Sequence, residues 1–130
     1  MKVAYVDTSC LVALAFAETA AKKMARRLGG FDRLFSSNLL EAEFRSALAH
    51  EGVSEDAGPL LAGITWIYPN RPLTPEFSRI LVIGRHLKGA DLWHLACALF
   101  LAPNTPELTF MTLDKRQEEV AKKLGFVTGD

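Results

Sequence analysis

The sequence predicts an α/β fold, a parallel sheet covered by helices. Two apolar runs carry that expectation, Val3-Ala4-Tyr5-Val6 and Leu108-Thr109-Phe110-Met111-Thr112. Runs this short and this continuously apolar read as strands buried on both faces, as in parallel sheets between helices. The third observation is common to both runs: each leads to an aspartate, Asp7 or Asp114, and then to a helix-like pattern. Open α/β sheets place their ligand crevice at the carboxyl ends of the strands, so both acids would stand at the mouth of a cleft.

At 130 residues the chain reads as one domain spanning 1–130, long enough to bury roughly two thirds of its unfolded surface. Hydrophobic residues make up 49% and charged residues 23%, a globular balance and not a disordered one. Fifteen Lys+Arg against fifteen Asp+Glu give no net charge to advertise a nucleic-acid partner. That balance can still hide a segregated pattern. Cys10 and Cys97 lie in apolar helix-like surroundings, where a free cysteine behaves as a small hydrophobe. No CxxC or His/Cys cluster suggests zinc. No apolar run reaches the length of a membrane span, and the chain starts with a strand in place of a signal peptide. The expectation is a cytoplasmic protein with no membrane partner.

In chain order, residues 9–28 carry apolar positions at helical spacing, with Thr8 or Ser9 as N-cap and Gly29-Gly30 as C-cap. Lys22, Lys23, Arg26 and Arg27 crowd its second half; a solvated face is the plain reading, a phosphate-binding patch the sharper one. Arg33-Leu34-Phe35-Ser36 reads as a short strand, and Ser36 or Ser37 caps a helix over about 38–50. On a 3.6-residue wheel Leu39, Leu40, Phe44, Ala47 and Leu48 form one stripe, and Glu43 falls inside it. Glu41 lies on the opposite side with Arg45 at i+4, an ordinary surface pair. A carboxylate on a buried stripe is costly unless it meets a cation or a hydrogen-bond network, so Glu43 is either bonded in the core or set at its wet edge.

Residues 52–72 are punctuated by Gly52, Gly58, Pro59, Gly63, Pro69 and Pro72, leaving room for one short helix around 54–65. Leu60, Leu61, Ile64, Trp66 and Ile67 are more apolar than a loop needs and either cap the core or form a partner surface. Thr74-Pro75-Glu76 starts a helix that runs to about His86. Gly89 breaks it, and Asp91 opens a strongly apolar helix, as N-cap in the plain reading. Leu92, Leu95, Ala96 and Leu99 follow at core spacing, with His94 one turn after Asp91. Taken singly, His94 is a packed or hydrogen-bonded histidine more readily than a ligand. Pro103 and Pro106 end the helix. After the second buried strand and Asp114, a helix spans Lys115–Leu124, Gly125 caps it, and Phe126-Val127-Thr128 is an edge-strand candidate.

In a sheet of this kind strand ends and helix starts share one edge, so three or four of Asp7, Glu43, Asp91 and Asp114 can converge. Carboxylates about 6 Å apart repel by roughly 3 kcal/mol per pair at an effective dielectric near 20. Several such pairs approach the entire stability of a typical domain. A cluster of this kind persists only if protons or a cation neutralise it. All-oxygen ligation favours Mg²⁺ or Mn²⁺, and such sites usually act on phosphates.

The blocks Tyr5-Val6-Asp7-Thr8-Ser9, Ser37-(x5)-Glu43-(x4)-Leu48, Ala90-Asp91-Leu92-Trp93-His94-Leu95-Ala96 and Met111-Thr112-Leu113-Asp114-Lys115-Arg116 resemble the PIN domain. Their order and gaps are similar to those of the VapC group of toxin ribonucleases, over almost the whole chain. The resemblance implies a three-layer α/β/α sandwich with a central, mainly parallel sheet of four to five strands. It also implies a Mg²⁺- or Mn²⁺-dependent endoribonuclease, dimeric and held inactive by a cognate antitoxin. Carried over by position, the acidic catalytic and metal site is Asp7, Glu43, Asp91 and Asp114, with Thr8, Ser9 and Thr112 as supporting hydroxyls. Lys22, Lys23, Arg26, Arg27, Arg45, Lys88, Lys115 and Arg116 are the candidate RNA phosphate contacts, and residues 60–67 are a candidate part of an inhibitor groove. A catalytically silent binding module of the same fold and a nuclease acting on DNA are the alternatives. A phosphohydrolase with an aspartyl nucleophile fits less well: it wants a second acid two residues on, where this chain has Ser9, and no Gly-rich phosphate loop is present.

Overall fold

A computed structural model describes residues 1–129, Asp56 by its backbone alone; the last residue of the expected 1–130 span lies outside the described residues. The strands are β1 (Val3–Val6), β2 (Arg33–Ser37), β3 (Ile64–Ile67) and β4 (Thr109–Met111). The helices are α1 (Thr8–Ala15), α2 (Ala21–Gly29), α3 (Asn38–His50), α4 (Ala57–Leu61), α5 (Thr74–Leu81), α6 (Gly89–Leu101) and α7 (Lys115–Lys123). The strands pair in the order β3-β2-β1-β4, all parallel.

Alternation along each strand builds the layers. From β1 and β4, Tyr5 and Phe110 join Ile80, Leu95, Leu99 and Val120 on the face covered by α5, α6 and α7. Ala4, Val6 and Met111 point the other way, against Cys10, Met24 and Leu28 of α1 and α2. Beside them, Leu40, Phe44 and Leu48 of α3 pack with Leu11, Leu61 and Ile64. Phe44 and Leu40 are fully buried, and each such side chain contributes about 1.5–3 kcal/mol of transfer free energy. This is the expected three-layer α/β/α arrangement with four strands. Because every strand runs the same way, β1, β2 and β4 all deliver their carboxyl ends to one edge.

Five expectations are corrected. The helical run over 9–28 is two helices, with Ala17 at φ +49° between them. One helix over those residues would be about 30 Å long, against about 13 Å for a four-residue strand. Glu18 N–H bonds back to the Ala13 carbonyl at 3.0 Å, a Schellman-type ending that folds α2 back onto β1. The weak segment 52–72 yields α4 and also β3, which pairs with β2 from Leu34↔Ile64 to Ser37↔Ile67. Leu61, Ile64 and Ile67 take the core reading, while Leu60 and Trp66 remain half-buried beside them. The α5 helix ends at Leu81 and not near His86; Leu73, not Thr74, is its N-cap, and Gly84 at φ +84° turns the chain. The α6 helix begins at Gly89 with Lys88 as N-cap, so Asp91 sits in the first turn and does not cap it. Phe126–Thr128 makes only a single parallel bridge, Thr109↔Val127.

The two cysteines are buried and unpaired by disulfide. Among the described residues no helix is long and apolar enough to cross a membrane.

Candidate functional site

The carboxyl edge between β1 and β4 is the point where connections leave in opposite directions across the sheet, the usual ligand crevice of open α/β sheets. Asp7 is the first residue past β1, and its N–H still bonds to the Met111 carbonyl of β4 at 3.1 Å. It is the N-cap of α1, the place assigned from sequence to Thr8 or Ser9: its Oδ1 accepts from Ser9 N–H at 3.1 Å. The same oxygen accepts from Ser9 Oγ at 2.5 Å, and Oδ2 accepts from Thr112 Oγ1 at 2.5 Å. Asp7 is 4% exposed. Burial pushes its pKa up, and the nearby Asp91 charge adds to this against the lowering effect of the Ser9 and Thr112 hydroxyls.

Glu43 reaches the same edge from the sixth position of α3, with its side chain one third exposed at 33%. Its place inside an apolar stripe is the stripe's wet rim. Oε1 accepts from Thr8 Oγ1 at 2.6 Å and lies 2.9 Å from His94 Nε2. The His94 bond, more than that of Thr8, holds the Glu43 pKa below the usual range against a partly buried setting. Ser37, expected as a cap, makes no side-chain cap bond; its Oγ accepts from Trp93 Nε1 at 3.2 Å.

Asp91 and Asp114 complete the group from two helix starts. Asp114 caps α7, accepting from Gln117 N–H at 2.9 Å, and its own N–H donates to Thr112 Oγ1 at 3.0 Å. Gln117 is fully buried. Its Nε2 donates to the Asp91 carbonyl at 3.2 Å, and its Oε1 lies 3.2 Å from Thr112 Oγ1. Thus one buried amide ties the start of α6 to the start of α7. The Asp91 pKa is raised by burial first, then by the Asp114 charge, and more weakly by Glu43. The fields of all four acids therefore meet around Asp91, and each expected hydroxyl is bonded to one of the acids: Thr8 to Glu43, Ser9 and Thr112 to Asp7.

Donor chemistry decides which cation could be held. The side chains that meet at this edge offer carboxylate and hydroxyl oxygens with no thiolate, the set that would suit a hard divalent ion such as Mg²⁺ or Mn²⁺. Among the described residues no three His, Cys, Asp or Glu side chains close to ligating distance around one point. Burial is the main cause of the raised Asp7 and Asp91 values; the part that a cation would relieve is the mutual repulsion, of Asp114 and Glu43 on Asp91 and of Asp91 on Asp7.

The basic candidates divide by position. A cleft of about 310 Å³ opens beside Thr112 and Asp114, lined also by Lys23, Met24, Arg27 and Lys115. Lys23, Arg27 and Lys115 are thus brought to the acidic edge, whereas Lys22 and Arg26 are exposed elsewhere along α2. Arg27 also donates to the Gly129 carbonyl at 3.1 Å. Arg45 pairs with Glu41 at 2.8 Å, as expected of a surface pair. Lys88 is near enough to Asp91 to lower its pKa slightly, and Arg116 reaches the His86 carbonyl at 3.4 Å.

Gln117, Tyr5 and the link from His94 to Glu43 were not assigned to the site from sequence. Gln117 stands three residues after the capping Asp114, a spacing that does mark a helix start. Tyr5 and His94 left no local signal, because their partners lie on other elements.

The sequence matches the PIN domain family over residues 4–123. The fold is similar to a solved structure of VapBC-1 from nontypeable Haemophilus influenzae, with a TM-score of 0.72. That likeness covers 98% of this chain and 97% of the other at 19% identity, and is one of fold. No curated protein matches the chain in sequence.

Proposed function

This chain belongs to the PIN domain family, and on that premise we propose that it is a divalent-metal-dependent endoribonuclease, the VapC-type toxin of a type II toxin–antitoxin pair. The observation that carries the proposal is the meeting of Asp7, Glu43, Asp91 and Asp114 at one sheet edge, with Asp91 inside the fields of Asp114, Glu43 and Asp7. Asp7, Glu43, Asp91 and Asp114 would hold the cation. When bound, a Mg²⁺ or Mn²⁺ ion supplies Lewis acidity, acidifying water and neutralising charge that develops on the phosphodiester. Asp7 is the central ligand because two hydroxyls and a backbone N–H fix its rotamer. Lys115 and Lys23 flank the cleft where a phosphate chain would pass Asp114.

The reaction is hydrolysis by water, leaving 3′-hydroxyl and 5′-phosphate ends and making no chemical use of the 2′-hydroxyl. Preference for RNA then comes from shape and unpaired bases. The cognate antitoxin, a homodimer and a cytoplasmic setting belong to the same proposal, and the fold shared with VapBC-1 supports its toxin part.

The test is cleavage of a small panel of single-stranded and hairpin RNAs, with matched DNA, in Mn²⁺ and in EDTA. Cleavage of RNA that stops in EDTA and is lost in Asp7→Asn is the expected result. Equal cleavage by wild type and Asp7→Asn would defeat the enzymatic proposal, and equal cleavage of DNA would defeat the RNA assignment. Growth arrest on expression, relieved by the product of a neighbouring reading frame, is the matching result in cells.

A further inference from the structure

Behind Glu43 lies a buried relay that crosses three elements. Tyr5 OH on β1 is 2.7 Å from His94 Nδ1 on α6, and His94 Nε2 is 2.9 Å from Glu43 Oε1 on α3. Tyr5 is fully buried and His94 is 2% exposed. The Tyr5 ring stacks on Phe110 at 5.4 Å between centroids, tilted by only 7°. The His94 ring meets it edge-on at 5.7 Å.

The hydrogen positions are set by the neighbours. Ser37 N–H donates to the Tyr5 oxygen at 3.2 Å, and a backbone N–H has no other role. The phenolic hydrogen can go to Nδ1 when that nitrogen is bare, although the Ser36 and Ser37 hydroxyls are also partners of the Tyr5 oxygen; the carboxylate beside Nε2 decides between the two ring tautomers. The neutral ring therefore carries its hydrogen on Nε2, aimed at Glu43. In the opposite tautomer the Nε2 lone pair would face a carboxylate oxygen at 2.9 Å. With the Thr8 hydroxyl also on Oε1 at 2.6 Å, both protein donors fall on one oxygen of Glu43.

We propose that Tyr5 and His94 are positioning residues: Tyr5 and the Glu43 carboxylate together lock His94 as the Nε2–H tautomer, and His94, with Thr8, occupies Glu43 Oε1 so that Oε2 is the oxygen presented to a divalent cation. The relay deepens the metal reading of the acidic edge and rests on it. It ties Glu43 to the strand that ends just before Asp7 and to the helix that carries Asp91. Hydrogen-bond partners behind a ligand typically change metal affinity by about 10–100-fold when removed.

Two measurements on the full chain test it. The first is the protonation of the His94 ring nitrogens by ¹⁵N NMR at neutral pH, without metal. A proton on Nε2 alone is expected in wild type, with Tyr5→Phe relaxing that restriction; any proton on Nδ1 in wild type overturns the lock. The second is Mn²⁺ binding by calorimetry. His94→Leu should weaken Mn²⁺ by about tenfold or more, and His94→Gln, whose amide N–H can reach Oε1, should recover most of the loss. A His94→Leu variant that stays folded by near-ultraviolet circular dichroism yet binds Mn²⁺ like wild type overturns the proposal. So does His94→Gln binding no better than His94→Leu. If wild type takes up no Mn²⁺, the metal reading under the proposed function fails, while the ring-nitrogen spectra still decide the lock.

Discussion

Replacing Asp7 by asparagine is expected to make the chain more stable at neutral pH while abolishing its proposed activity. The direction of the Asp7 pKa, raised mainly by burial and further by Asp91, means that the fold prefers this side chain neutral. The swap also leaves no polar atom stranded. Oδ1 keeps the Ser9 N–H and Oγ, and the new amide can donate to Thr112 Oγ1, whose own hydrogen turns to Gln117 Oε1 at 3.2 Å. Neutralising the side chain removes the repulsion from Asp91, the smallest of the causes that shift its pKa. Against this, three charge-assisted bonds, from Ser9 N–H, Ser9 Oγ and Thr112 Oγ1, each weaken by about 1 kcal/mol. Relief from desolvation, the largest cause, outweighs these losses, and about 1–3 kcal/mol of added stability is expected. For a chain of this length that raises Tm by roughly 4–10 °C.

The pH dependence has a definite sign. A folded-state pKa above the unfolded one means that the folded chain binds the proton more tightly. The stability tied to Asp7 is therefore complete below the unfolded carboxylate range and is lost as pH rises through the folded value. Wild type and Asp7→Asn should converge in stability as pH falls below about 4 and separate toward neutrality. Urea unfolding in EDTA, at several pH values, measures the gap. Adding Mn²⁺ at a hundredfold excess over Kd should restore about 2.7 kcal/mol to wild type and little to the variant. An Asp7→Asn chain less stable than wild type at neutral pH in EDTA, or a gap that widens on acidification, would refute this account of the site.

Thr112→Val strips a donor from Asp7 Oδ2 and an acceptor from Asp114 N–H; it should cost about 1–3 kcal/mol by urea unfolding, with Thr112→Ser recovering most of it. Gly125→Ala should lose about 2–4 kcal/mol while leaving cleavage per folded molecule unchanged, since Gly125 sits at φ +98° and a Cβ there would run into Thr105 Oγ1. Lys115→Ala should weaken RNA binding equally across sequences and lower the slope of log K against log salt by about 0.7 for one lost phosphate contact. An unchanged slope removes Lys115 from the RNA surface.

What was legible in the sequence was what depends on local pattern. The two buried strands announced themselves as continuous apolar runs ending in acids, and they are β1 and β4. Glu43 stood out because a carboxylate inside the Leu40-Phe44-Leu48 stripe has to be explained, and that stripe is buried as expected. What was hidden depends on partners distant in the chain or on a residue type that conceals its conformation. Ala17 holds a left-handed φ that glycine normally signals, so the break between α1 and α2 left no mark. Four-residue β3 is a strand because β2 lies beside it, and nearby glycines and prolines concealed it. Asp7 took the cap of α1 from the hydroxyls beside it because a carboxylate at a strand end already faces the first free N–H groups of the helix.

Why the fold tolerates four acids at one edge depends on where each is mounted. Asp7 and Asp114 are N-caps of α1 and α7, and Asp91 is in the first turn of α6. Each helix start offers unpaired N–H groups and the positive end of a dipole, worth about 0.3–1 kcal/mol to an anion. Three of the acids thus receive backbone compensation wherever the cation is not bound. Glu43 stands in the middle of α3, where every nearby N–H is spent within the helix. It is the one acid that the backbone cannot support, and it is the one given a buried histidine at 2.9 Å and a hydroxyl at 2.6 Å. Moving that support elsewhere would leave a half-buried carboxylate facing Asp91 with nothing on its inner side. The tyrosine–histidine relay therefore supplies at Glu43 what helix geometry supplies at the other three.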